Sequence, residues 1–422
     1  MKTLALILFL ATYVLMIVLP EKRPYVAAAS AVLFVVLGIM PPEKVLGAVD
    51  WNVILMLAGT MGTVSLFISS KMPNRLADLL LKKTPNVMWV TVAMSLFAGV
   101  VSAFVDNVAT VLMIAPVGFA ICKKLNISPV AMLICISVSS NLQGAATLVG
   151  DTTSIMLGSY ADMTFMDFFF MDGKFSIFWA VELGAVATVP VIMYYFRKER
   201  KPVRVDYVTP VEDYFPSVLL AGTVILLIGA SFLPDKPALI NGGICMALFL
   251  VGLVRHVAKY HDFGMVVKAL GEIDHLTLLL LASLFVVIGS MTEAGVIDEI
   301  AKLFVRIGGD NLFLMYSLIV WGSVLMSAFI DNIPYVATML PVVSGIAAMM
   351  GCTPYVLYFG LLTGATLGGN LTPIGASANI TTIGILQKEG YEVKNTDFLK
   401  IGVPFTLVAV LCGYLFCWFV WA

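Results

Sequence analysis

The stretch VSAFVDNVATVLMIAPV, Val101 to Val117, and its echo MSAFIDNIPYVATMLPV, Met326 to Val342, decide the fold. Each sets a bare acid and amide, Asp106 with Asn107 and Asp331 with Asn332, in the middle of apolar sequence long enough to lie in a membrane. A charged side chain in hydrocarbon costs at least about 2.5–3.5 kcal/mol, so an acid at that depth is read as functional by default. Each aspartate also precedes an apolar run, where a helix N-cap would hold the orphan amides of that run. The two readings are compatible, because a carboxylate at a helix N-terminus beside an amide can also hold a cation or a proton.

Hydrophobic residues make up 60% of the 422 positions and charged ones 12%, which excludes a soluble core with a charged shell. The chain reads as an all-α polytopic membrane protein. With 25 Lys and Arg against 26 Asp and Glu it has no basic surface for nucleic acid. The apolar run from Thr3 to Leu19 reads as a retained first span rather than a signal peptide. The six cysteines lie scattered through apolar segments without a CxxC pair, as small buried hydrophobes do, and His256, His261 and His275 have no metal-site spacing. No Ser/His/Asp set, HExxH or Walker loop is present, so an enzyme is not expected.

Spanning windows of about 20 apolar residues fall near 3–20, 24–40, 51–69, 175–196, 215–233, 238–256, 274–292 and 400–421. Windows at 130–157 and 355–385 are too long for one plain span and are interrupted by Gly, Thr and Asn, so they read as broken helices. The stretches 87–121 and 312–349 each hold two arms about an Asp-Asn pair and read as re-entrant helical hairpins. The expectation is about ten transmembrane helices plus two hairpins. Lys and Arg divide nineteen to six between alternate loops, which places the richer side in the cytoplasm and both termini outside it.

The basic linker at 197–214 divides the chain into a first repeat, 1–196, and a second, 215–422. A shift of 225 residues aligns Ser102, Ala103, Phe104, Asp106, Asn107, Pro116, Val117, Pro129, Leu142, Gly144, Thr147 and Gly150 with identical residues from Ser327 to Gly375, without a gap. Each half crosses the membrane an odd number of times, so the second must lie upside down. Inverted repeats with broken helices and a site near the midplane are the architecture of secondary transporters.

The breaks lie in SNLQGAATLVGDTTS, Ser140 to Ser154, and ATLGGNLTPIGASAN, Ala365 to Asn379. Gly144 to Gly150 and Gly369 to Gly375 bracket residues that unwind the helix and free carbonyl oxygens, tolerated at that depth only in a protein interior or along a cavity. Thr147, Thr152, Asn370, Thr372, Ser377 and Asn379 flank these breaks. Such carbonyls with a facing Asp and Asn form an oxygen cage of the kind that binds sodium, here at Asp106, Asn107 and Gly150 and again at Asp331, Asn332 and Gly375. The amides that open the next half-helix would face an anion or a polar solute. Asp151 occurs in the first copy alone, where Ala376 answers it, and is the candidate proton carrier. Glu182 is a further intramembrane acid, and Asp50 and Asp274 sit at span starts as caps. PNRLADLLLKK and GVIDEIAKLFVR read as amphipathic linking helices on opposite membrane surfaces.

At SAFVDNVATVLMIAPV, SAFIDNIPYVATMLPV and GATLGGNLTPIGASANITTIGI the chain resembles the ion transporter superfamily. Within it the similarity is to the arsenical pump membrane proteins (ArsB), the NhaD-type sodium/proton antiporters and the melanosomal P protein, with a citrate transporter-like domain, over essentially the whole chain. The resemblance implies a scaffold and a transport domain moving as an elevator, a homodimer, and, on the arsenical-pump pattern, a separate ATPase subunit. The more distant divalent anion/sodium symporters carry Ser-Asn-Thr at both tips. Here aspartate replaces the serine, and Val108 and Ile333 stand at the threonine step, so a dianion would meet two acids. The sequence points to a secondary-active transporter of a small anion or oxyacid, arsenite-like or citrate-like, coupled to protons or sodium in a bacterial inner membrane, with no cofactor beyond a sodium ion. A sodium/proton antiporter and an anion channel are the alternatives.

Overall fold

The computed structural model describes residues 1–203, 208–234 and 237–422. Arg204 and Lys236, counted in the charge bias, and the middle of the 197–214 linker lie outside the described residues. In the first half the helices are α1 (Lys2–Val18), α2 (Arg23–Val36), the short α3 (Val45–Ala48), α4 (Trp51–Ser69), α5 (Met72–Leu81), α6 (Val87–Ser102), α7 (Asn107–Leu125), α8 (Val130–Gly144), α9 (Thr152–Tyr160) and α10 (Ile177–Tyr195). The second half holds α11 (Phe215–Ser231), α12 (Ile240–Tyr260), α13 (Gly264–Gly271), α14 (His275–Glu293), α15 (Val296–Gly308), α16 (Leu312–Ser327), α17 (Asn332–Met350), α18 (Tyr355–Leu362), α19 (Ser377–Lys388) and α20 (Asn395–Trp421).

Among the described residues seven helices are each long and apolar enough to cross a membrane, or nine spans if two bent pairs are added. The window expected at 24–40 ends at Val36: α2 has 14 residues, about 21 Å at 1.5 Å each, and falls short of a bilayer core of about 30 Å. It reaches spanning length only when joined with α1, from which the chain turns by 118°. The chain is also not wholly helical. Phe170–Met171 pairs antiparallel with Lys174–Phe175 around Asp172 and Gly173, both at positive φ, as a tight two-residue hairpin turn requires. That small β-hairpin precedes α10.

The same local devices recur in both halves. Asn86 caps α6 through Trp89 N–H, and Asn311 caps α16 through Leu314 N–H. Asp50 and Asp274 cap α4 and α14. Pro116 and Pro341 lie inside α7 and α17, which end on residues of left-handed conformation, Asn126 and Gly351. Caps carry weight here because a helix end inside a bilayer has no water to satisfy its amides. α5 packs on α7 as α15 packs on α17, and α4 with α12 answers α14 with α2. The halves interlock where α7 meets α19 and α17 meets α9.

Burial follows the membrane pattern. Val186, Ile225 and Phe419 face outward, while Ser140, Asn141, Gln143, Thr147 and Thr153 are fully enclosed. The polar interior is where the two breaks and the two hairpin tips meet.

Candidate ion and solute site

At each hairpin tip an aspartate caps the returning arm. Asp106 Oδ1 accepts from Val108 N–H (3.0 Å) and Ala109 N–H (3.2 Å), and Asp331 Oδ1 accepts from Ile333 N–H (3.1 Å). The helix breaks are then fastened to the tips by matching bonds: Thr147 hydroxyl donates to the Ala103 carbonyl, and Thr372 hydroxyl to the Ala328 carbonyl. The break glycines are packed to contact. A Cβ on Gly150 would lie 2.5 Å from the Gly144 carbonyl oxygen and 2.8 Å from those of Ala103 and Ser102. On Gly375 it would meet Gly369, Ser327 and Ala328 carbonyl oxygens at 2.5, 2.7 and 3.0 Å. At each glycine one break carbonyl and two tip carbonyls press against the glycine backbone.

The two breaks differ in detail. α8 runs as an α-helix to Gly144, whereas its counterpart passes from α18 into a π-helical turn, Thr363–Leu367, and a 3₁₀ turn, Gly369–Leu371. A π-turn widens the helix and leaves carbonyls for side chains to use. Asn141 Nδ2 donates to the Thr366 carbonyl (2.8 Å) and to Asn370 Oδ1 (3.1 Å), and Asn370 Nδ2 donates to the Val138 carbonyl (2.8 Å). Asn379 Oδ1 accepts from Ser137 hydroxyl at 2.6 Å. These amides bridge the halves.

Asp151 sits on this bridge. Its Oδ1 accepts from Thr152 N–H (2.9 Å) and Asn107 Nδ2 (3.5 Å), and its Oδ2 from Thr153 hydroxyl (2.7 Å), which lies 3.0 Å from Thr366 hydroxyl. Asn107 also donates to Asn141 Oδ1 at 3.0 Å. The Asp151 side chain is only 6% exposed, and among the described residues no basic group pairs with it. Three neutral donors stabilise a carboxylate without cancelling its charge.

A cavity of about 460 Å³ brings Asp106, Asn107, Asp151 and Thr152 of the first half together with Asp331, Asn332 and Ser377 of the second. Glu272 and Asp274, both exposed, stand at it as well. Five carboxylates thus border one space. Glu272 lies 3.7 Å from Lys268, and Asp331 is paired with Arg23, whose Nη1 donates to Asp331 Oδ2 at 3.0 Å. The other three carboxylates have no basic partner among the described residues. Arg23 had the sequence character of a loop cation, and the expected sodium position beside Asp331 is therefore faced by a guanidinium. Among the described residues no three His, Cys, Asp or Glu side chains converge tightly enough to hold a metal ion. A cation here would be held by one carboxylate with amide, hydroxyl and carbonyl oxygens.

A family model described as "CitMHS: Citrate transporter" matches residues 13–364 and, in a second match, 266–422. The chain belongs to the CitMHS citrate transporter family. An uncharacterized transporter of Mycobacterium tuberculosis is 30% identical to this CitMHS-family chain over 99% of its length and 98% of the relative's. The human P protein is 26% identical over 86% of this chain and 53% of its own. Among solved structures, the Alcanivorax borkumensis YdaH transporter matches 89% of the chain and 86% of its own at a TM-score of 0.59 and 14% identity. Neisseria gonorrhoeae MtrF matches 90% and 83% at 0.58 and 16%. The family and the mycobacterial relative are described as transporters, and the solved structures share the fold.

Several residues of the CitMHS-family site were not singled out by sequence. Asn141 stood in plain view as a carboxamide inside an apolar window, and its register partner Thr366 lies in the other break. Thr153 carries no signal beyond small polarity, and Ser102 stood out only as an identity of the repeat, aligned with Ser327. Thr147 and Thr372, expected near an ion, fasten break to tip through their hydroxyls. Glu182 lies apart from the cavity, where both its oxygens accept from Gln143 Nε2 at 2.9 Å.

Proposed function

We propose that this protein is a secondary-active transporter in which Asp106 and Asp151 load a coupling cation, sodium or a proton, and in which an organic anion of the citrate class enters only as a charge-compensated species. The acid-lined cavity carries this reading. Each unpaired carboxylate repels each charge of an anion by on the order of 1–2 kcal/mol at about 10 Å and an effective dielectric of 20. Hydrogen bonds returning about 0.5–1.5 kcal/mol apiece do not offset three such carboxylates acting on a multiply charged anion. Protonation or cation binding removes the obstacle, and transport then requires the ion. The family's description supports this solute class, the repeated halves support alternating access by an elevator-type displacement, and the loop charge bias supports an inner-membrane orientation with both termini outside the cytoplasm.

Proteoliposomes on a solid-supported membrane test this directly, with jumps of sodium, pH, citrate and arsenite. Citrate should evoke saturable charge movement that depends on sodium or pH, and that dependence should be lost in Asp151→Asn. A current that neither saturates nor depends on a coupling ion would make the protein a channel instead. The same cavity favours sodium/proton antiport as the second reading: a sodium jump alone would then move protons, with citrate inert.

A further inference from the structure

The two half-sites share a sequence pattern and differ in electrical content. We propose that Arg23 is a built-in cation that occupies the second half-site throughout the cycle, so that exchangeable cations load only at the first, on Asp106 and Asp151. This rests on the cation-coupled reading above.

Four independent asymmetries point the same way. Arg23, the first residue of α2, donates to Asp331 Oδ2 at 3.0 Å from a position only 14% exposed, and Asp331 is 13% exposed. Its Nε donates to the Met16 carbonyl at 3.2 Å, which fixes the guanidinium plane from behind. Next, the oxygens of Asp331 are engaged: Oδ1 by Ile333 N–H, and Oδ2 by Arg23 and by Ser377 hydroxyl at 3.2 Å. Asp106, by contrast, spends Oδ1 on its cap, and among the described residues no hydrogen bond reaches its Oδ2. Third, the first half-site has a second acid, Asp151, where the other has Ala376. Fourth, Ser327 hydroxyl is satisfied by Asn332 Oδ1 and by the Ala365 carbonyl (2.5 Å), while its counterpart Ser102 is fully buried with its hydroxyl unpaired among the described residues. A buried hydroxyl without a partner, next to a tip with two uncompensated acids, is an oxygen available to an ion.

The N-terminal pair also holds the second tip in place. Tyr13 on α1 donates to the Pro334 carbonyl at 2.5 Å and contacts Thr338 on α17. α1 and α2 thus clamp hairpin two at its cap, and Arg23 is the charged element of that clamp. A duplicated transporter with two equivalent half-sites would load cations at both; here one has been given a resident charge.

The test uses the full-length protein in proteoliposomes, with sodium ions and protons alone as probes. Wild type should show charge displacement with a single-step dependence on the coupling cation, abolished in Asp106→Asn and in Asp151→Asn. Arg23→Gln exposes Asp331 and should give about twice the displaced charge with a steeper cation dependence. Arg23→Gln/Asp331→Asn removes both charges and should return to single-step dependence. Unchanged charge and steepness in a correctly inserted Arg23→Gln would overturn the proposal. Should that single variant not fold, the double variant decides: a folded double variant without any cation response would equally overturn it. Absence of a cation signal in wild type would instead remove the coupled-transport reading on which it stands.

Discussion

Replacing Asp106 by asparagine or by alanine separates two tasks that one carboxylate performs. Asparagine caps a helix about as well as aspartate, whereas alanine costs about 0.5–2 kcal/mol at an N-cap. Asp106→Asn should therefore insert with wild-type thermal stability in detergent and lose ion-coupled flux, and Asp106→Ala should lose both. Flux retained in Asp106→Asn would reduce the residue to a cap. Asp151→Asn is the sharper probe of the pair. Its oxygens accept from Thr152 N–H and from Thr153 hydroxyl, and an asparagine can keep one of those bonds through its own oxygen. Coupling should vanish in this variant, measured as citrate or sodium flux that no longer follows pH, with little change in melting temperature. A pH dependence identical to wild type would assign the proton-carrying task elsewhere, with Asp106 next in line.

At the scale of elements, hairpin and break form one unit, because the break glycines press on tip carbonyls and the break threonines donate to them. Gly150→Ala and Gly375→Ala place a methyl 2.5 Å from a backbone oxygen that cannot step aside. Each should destabilise the protein by about 1–3 kcal/mol, seen as a lower melting temperature in detergent. Thr147→Val removes the donor to the Ala103 carbonyl and should cost about 1–3 kcal/mol for the orphaned group. Equal stability in all three variants would mean that tip and break move independently. These positions were legible in the sequence because the backbone dictates them: a glycine with no room for Cβ, a cap before an apolar run and a proline within it all repeat at one offset. Arg23 with Asp331 was not legible. The pair joins positions 308 residues apart, and an arginine at a span end reads the same whether its guanidinium snorkels to water or turns inward. The length of α2 escaped as well, since an apolar window does not reveal that the helix stops at Val36, ahead of Gly38 at positive φ.

In the molecule as a whole the two halves tie their matching elements differently. Asp50, at the start of α4, accepts from Ser159 hydroxyl on α9 at 2.5 Å, tying the two elements together. Its counterpart Asp274 caps α14 and borders the cavity, and α14 has no contact with α19 as extensive as that of α4 with α9. The register partner of Ser159 is Gly384, which offers no side chain to Asp274. If inverted halves exchange roles during transport, the α4–α9 face must open when the cavity face closes. Cysteines at positions 50 and 159, joined by a short bifunctional thiol reagent, should then arrest flux until the link is cleaved. The background should have Cys352 and Cys412, the two native cysteines that are not fully buried, replaced by serine. Wild-type flux through quantitatively crosslinked protein would show that the working motion leaves α4 and α9 in contact, and would restrict alternating access to the two hairpin tips.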